Sequence, residues 1–144
     1  MKIEKVAVTF LLLNAAAFGF FGVKWLMNPM EMAGPLGIIL SNADAITDAQ
    51  AIYGGLELGV GAFLVCCAFR QPLRFAGLLA ATLVLSGLGL SRLVGILTVS
   101  GPITHATTEL LTTDLVGIAI NAIVLGLYVR SSSNNRGAPA LGTR

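Results

Sequence analysis

Charge is scarce in this sequence: Asp, Glu, Lys and Arg make up 11% of its 144 residues, where an ordinary soluble domain carries roughly a quarter. Histidine and tryptophan each occur once and cysteine twice. Cys66 and Cys67 are adjacent inside an apolar run, so the C-x-x-C spacing of a dithiol redox motif is missing. A single histidine and two neighbouring thiols make no metal-ligand cluster, and no metal or other cofactor is expected. Both cysteines read as small core or lipid-facing residues. No basic patch with interleaved aromatics is present, which excludes a nucleic-acid partner. The net charge of +2 comes mostly from the chain ends and one loop.

Apolar residues fill the space that charge leaves: 56% of the chain is hydrophobic and its mean hydropathy is +0.86. The composition is that of an integral membrane protein. A transmembrane helix needs about 20 apolar residues, and four such runs can be placed, at about 6–27, 50–69, 75–97 and 109–129. The fold class expected is all-α, a four-helix membrane bundle over residues 1–130, with 131–144 a disordered polar tail rich in Gly, Pro and Ser. The opening "MKIEK" followed by "NAAA" has the look of a signal peptide, but the apolar run continues through "FGFFGV", so a retained span is expected.

Breakers mark the connections. Asn28-Pro29 ends the first run, Pro72 sits between Arg70 and Arg74 in a tight turn, and Gly101-Pro102 marks the loop before the fourth span. The segment "NPMEMAGPLGIILSNADAITDAQ" is too short in apolar residues to cross and reads as a surface or half-inserted connector. Ser41 or Asn42 suits a cap in that loop, Thr47 or Asp48 the start of the second span, and Thr107 or Thr108 the start of the fourth. Lys2, Lys5, Arg70, Arg74, Arg130, Arg136 and Arg144 all fall on one side of this topology. The positive-inside rule then puts both termini in the cytoplasm. Trp25 and Tyr128 read as interfacial anchors, and His105 as a loop residue.

Glu57, Arg92 and Asp114 are charged residues set well inside the spans, away from their ends. Such groups are costly at mid-helix, by roughly 2.5 to 3.5 kcal/mol on insertion scales, and face the bundle interior or a water-filled cavity. Each lies on the order of 8 to 10 Å inside the outer end of its own helix, so the three share one depth, and Arg92 between two carboxylates is electrostatically reasonable. Tyr53, one turn outward of Glu57, is placed to reach its carboxylate. Glu109 stands further out. Asn14 and Asn121 come out deeper, near the level of Ser86, as an interhelical amide pair or as the inner part of a polar column. The candidate ligand-binding set is therefore Tyr53, Glu57, Arg92, Glu109, Asp114, Asn14 and Asn121. Gly55 and Gly59 form a G-x-x-x-G in the second span, where close packing within the chain, a homodimer or another membrane partner would each explain them.

The run "AIYGGLELGVGAFL", the later "SRLVGIL" and a glutamate opening the last helix resemble the bacterial membrane family known as domain of unknown function 4345, four-helix proteins DoxX-like in appearance. The resemblance covers about Val6 to Val129 and is carried by Tyr53, Gly54, Gly55, Glu57, Gly61, Arg92, Gly95 and Glu109. It implies the four-span fold and a location in the bacterial inner membrane, but no activity. The DoxX-like likeness would imply association with respiratory or redox membrane proteins, for which this chain has no thiol pair or haem-ligand set.

Three functions fit these observations. The first is binding or transport of a small polar or amphipathic ligand at Glu57, Arg92 and Asp114, opening outward. The second is an embedded isomerase, hydrolase or cyclase acting on a lipophilic substrate, with Glu57 and Asp114 as catalytic acid and base. The third is an accessory subunit in which the polar set fixes packing alone.

Overall fold

A backbone in hydrocarbon has no water to bond, so each apolar run must satisfy its own amides, and a helix does this within one segment. The structure, a computed structural model, describes residues 2–136, the last three as backbone. Helix α1 spans Lys2–Met27. A short helix α2, Pro29–Ala33, has Pro29 in its first turn, where a missing N–H is no loss. Helix α3 runs Ala43–Phe69, α4 Arg74–Thr98 and α5 His105–Arg136. All four long helices are long and apolar enough to cross a membrane, and among the described residues there is no strand.

The helix ends follow local chemistry. Gly37, with φ 69°, lets the chain turn out of the short 3-10 turn Gly34–Leu36. Asn42 then caps α3, its side-chain oxygen accepting from the Ala45 N–H at 2.8 Å. The second span thus starts at Ala43 rather than Gln50, because the cap lies a full two turns before the apolar run. Gly101, with φ 143°, reverses the chain before α5. There the hydroxyl of Thr104 accepts from the Thr107 N–H at 3.4 Å, so the helix begins at His105, earlier than caps at Thr107 or Thr108 would place it. At the other end α5 continues to Arg136, so residues 131–136 are helical where a disordered tail was expected. A long apolar helix propagates into "RSSSNNR" because each added residue gains a backbone bond without a new nucleus. The rest of the expected tail, 137–144, lies outside the described residues.

Helix α1 packs along α3, and α4 along α5; α1 also meets α4 and α5, leaving α3 and α5 on opposite corners. The main core lies toward the end that carries the N-terminus. It comprises Ala7, Leu11, Ala15 and Phe18 of α1 with Leu64, Cys67 and Ala68 of α3, Leu78 and Ala81 of α4, and Val124 and Tyr128 of α5. Tyr128 is therefore a buried core residue and not an interfacial anchor. Cys67 is buried and Cys66 exposed, which suits both readings given to the pair.

A second, smaller cluster caps the opposite end, where Trp25, Ala33 and Ala49 are covered by Met32, Leu36, Ile38 and Leu40. The connector after α1 folds back over Trp25, which is 4% exposed and stacked on Tyr53. Its short apolar run buries a tryptophan instead of leaving it at the interface.

Close approach is concentrated at a few glycines. A Cβ on Gly77 would lie 2.5 Å from the Cβ of Cys67 and 2.9 Å from Cδ2 of Leu11, in the middle of the core. Gly77→Ala is expected to destabilise the fold by about 1–3 kcal/mol, the cost of overpacking. Gly59→Ala, with nothing within 4 Å of the added atom, should be neutral or mildly stabilising through helix propensity. Denaturation in micelles distinguishes the two, and equal effects would contradict the packing described.

Candidate polar layer in the bundle

The helices set the level of each polar side chain. Facing glycines fix the α1–α3 register: a Cβ on Gly61 would lie 3.1 Å from the Ala15 carbonyl, and one on Gly22 would lie 3.0 Å from both the Gly54 carbonyl and the Leu58 amide. Glu57 therefore sits opposite Gly22. On the other pair, Gly89 faces Ile118 and Asp114, and Gly117 faces Leu85. Between the pairs, the Asn14 amide nitrogen donates to the Asn121 side-chain oxygen at 3.0 Å, and Asn121 donates back at 3.3 Å. Counting outward at about 1.5 Å per residue, Gly22 lies about 12 Å above Asn14 and Asp114 about 10 Å above Asn121. Glu57 and Asp114 thus share one level to within a helical turn.

That level falls in the interval between the two apolar clusters. The buried residues of the main core end at Phe18, Leu64, Ala81 and Val124, with Val60, Val84 and Leu85 packed on them, and the outer cluster begins at Trp25, Ala33 and Ala49. Glycines, the charged groups and the apolar side chains of Leu58, Leu85 and Ile118 share this interval.

Within the layer, Arg92 donates through Nη1 to Oδ2 of Asp114. Asp114 is almost fully buried and the Arg92 side chain is 25% exposed. An arginine–carboxylate contact of this kind offsets the desolvation of both groups. Arg92 does not serve as the counter-charge of Glu57, as its position between two acids suggested. Helix α4 packs much more extensively along α5 than against α3, which puts the guanidinium beside Asp114. Oε2 of Glu57 is buried with no hydrogen-bond partner, the one such side-chain atom among the described residues.

Tyr53 does not reach Glu57 either. Residues Gln50–Gly55 form a π-helical turn within α3, and a turn this wide displaces Tyr53 from the position that a straight α-helix gives it. The ring stacks on Trp25, with centroids 4.6 Å apart. Gln50 holds the same turn against α1, its amide nitrogen donating to the Leu26 carbonyl at 2.8 Å and satisfying one of the open carbonyls at that helix end. Wide turns of this kind recur beside functional sites. Gln50 and the buried Trp25 were not among the expected site residues; the "QAIYGG" string, polar then glycine-paired just before a buried acid, is the signal they left.

The remaining candidates separate by level. Asn14 and Asn121 form the reciprocal pair, and each amide also donates to the carbonyl four residues earlier, Phe10 at 2.8 Å and Gly117 at 2.9 Å. Their hydrogen bonding is met within the protein, which makes them an interhelical clasp. Glu109 stands outside the layer, paired with His105 at 3.2 Å, both largely exposed. With Thr108, Thr112 and Thr113 these two line an open groove of about 590 Å3 on α5. Among the described residues no group of three or more His, Cys, Asp or Glu side chains is placed to hold a metal ion.

No curated protein and no solved structure matches this chain. A family model described as "Domain of unknown function (DUF4345)" matches residues 6–127. That match covers all of the first three membrane-capable helices but the first few residues of α1, together with most of the fourth, and it includes Glu57, Arg92 and Asp114. It bears on this family alone and not on the DoxX-like group. By this match, and with four apolar helices to fit it, the chain belongs to the DUF4345 family of proteins of unknown function.

Proposed function

We propose that the polar layer binds a small amphipathic molecule, and that the protein carries or transports it in the bacterial inner membrane with both termini cytoplasmic. The observation behind this reading is the unpartnered Oε2 of Glu57, buried at the level of the Arg92–Asp114 pair. A buried acceptor without a donor costs about 1–3 kcal/mol, more when charged, and such exceptions in native proteins point to a missing partner. A ligand with a hydroxyl or amino group on an apolar body would supply that donor while its body packs among the apolar side chains of the bundle. Toward the outer end the connector covers Trp25, which stacks on Tyr53.

The test is a melting series on delipidated protein with three ligands sharing one alkyl body and ending in an amine, an alcohol or a carboxylate. The amine or alcohol should raise the melting temperature of the wild type and leave Glu57→Met, which has no acceptor, unmoved. Equal response of the variant, or a preference for the carboxylate, would refute the reading.

One observation favours a second role as an accessory subunit or dimer: Gly55 and Gly59 are exposed and pack on no other helix of the chain. Such a face suits close approach by a second helix. Gly59→Leu should then lower recovery of a stoichiometric partner or of the dimer; an unchanged monomer would count against it.

A further inference from the structure

At the end that carries the N-terminus, α1 and α4 meet over an ion pair. Arg74 donates through Nη1 to Oε2 of Glu4 and through Nε to the Ala68 carbonyl at 3.4 Å. Beside it, Lys5 is exposed and has no ion-pair partner among the described residues. Glu4, Lys5, Val8, Thr9 and Arg74 line an open groove of about 350 Å3. Two cations face one carboxylate there, and that carboxylate is already held by Arg74.

An apolar strip continues from the groove along α1. Lys5 and Thr9 are four residues apart on α1, and Leu12, Ala16 and Phe20 continue the same helical face, all exposed. From Lys5 to Phe20 this track is about 22 Å long, more than the ~15 Å of one bilayer leaflet. A cationic, hydroxyl-bearing head region thus opens onto an apolar strip of acyl-chain length.

We infer that this groove binds an anionic phospholipid, its phosphate between Lys5 and Arg74 with the Thr9 hydroxyl as a further donor, and one acyl chain along Leu12, Ala16 and Phe20. The apolar track distinguishes a lipid from a free phosphate, which would gain nothing from it. Thr9 sets the depth of the phosphate, one turn inside Lys5. The inference is independent of the polar layer.

The experiment uses the delipidated full chain in neutral detergent, with dioleoyl phosphatidylglycerol and dioleoyl phosphatidylcholine as probes and native mass spectrometry as the readout. Each lysine near an anionic lipid surface contributes on the order of a fivefold change in affinity, so Lys5→Glu should weaken phosphatidylglycerol binding roughly tenfold or more and leave phosphatidylcholine unchanged. Lys5→Gln should give a smaller loss in the same direction. Lys2→Glu makes the same charge change at the same end but outside the groove, and should have little effect. Excess inorganic phosphate should not displace the lipid. Unchanged binding by both Lys5 variants, an equal loss with Lys2→Glu, or displacement by phosphate would each overturn the assignment.

Discussion

Arg92→Leu alone is expected to destabilise the bundle by ~3 kcal/mol, whereas the double change Arg92→Leu with Asp114→Leu should recover most of that loss. The single change strands Asp114, which is almost wholly buried, without the guanidinium that compensates it. Breaking a buried pair by removing one partner costs about 3–5 kcal/mol, and the lower end applies here because Arg92 retains some exposure. Removing both charges leaves apolar side chains in an apolar bundle, a change that is often neutral or better. The check is a double-mutant cycle by denaturation in micelles. Simple additivity of the two single changes would show that Arg92 and Asp114 do not act as a pair.

Glu57→Met should have the opposite sign: the ligand-free protein becomes more stable by about 1–3 kcal/mol, the penalty of an unsatisfied buried acceptor. The same change should abolish ligand uptake, since the acceptor is gone. A gain in stability coupled to a loss of function is the mark of a group kept for binding and not for packing. Measurements must be made after delipidation, because a bound ligand would stabilise the wild type by mass action and mask the gain. Were Glu57→Met instead as destabilising as Arg92→Leu, Glu57 would be a packing element with partners of its own.

The helices, their number and the depth of the charged residues were legible in the sequence, because span length, breakers and a rise of 1.5 Å per residue are local properties. So was the amide clasp of Asn14 and Asn121, which a common level on two helices suggests. The pairing of Arg92 was not. Which of two acids at one depth meets an arginine depends on which helices are neighbours, and neither hydropathy nor spacing encodes that α3 and α5 sit on opposite corners. Tyr53 was misplaced for a different reason: the extrapolation from Glu57 assumed a straight α-helix, and the π-helical turn at Gln50–Gly55 breaks that assumption. Trp25 and Tyr128 were read as interfacial from their residue type, and both are buried. The connector covers the first and the α1–α4–α5 core encloses the second.

Native mass spectrometry of gently purified wild type beside Glu57→Met tests the ligand role of Glu57 without presupposing what binds. The expected result is a defined small molecule on the wild type that is lost from the variant while both remain folded by melting. An empty wild type, or the same molecule on both at equal occupancy, would contradict a ligand site at Glu57.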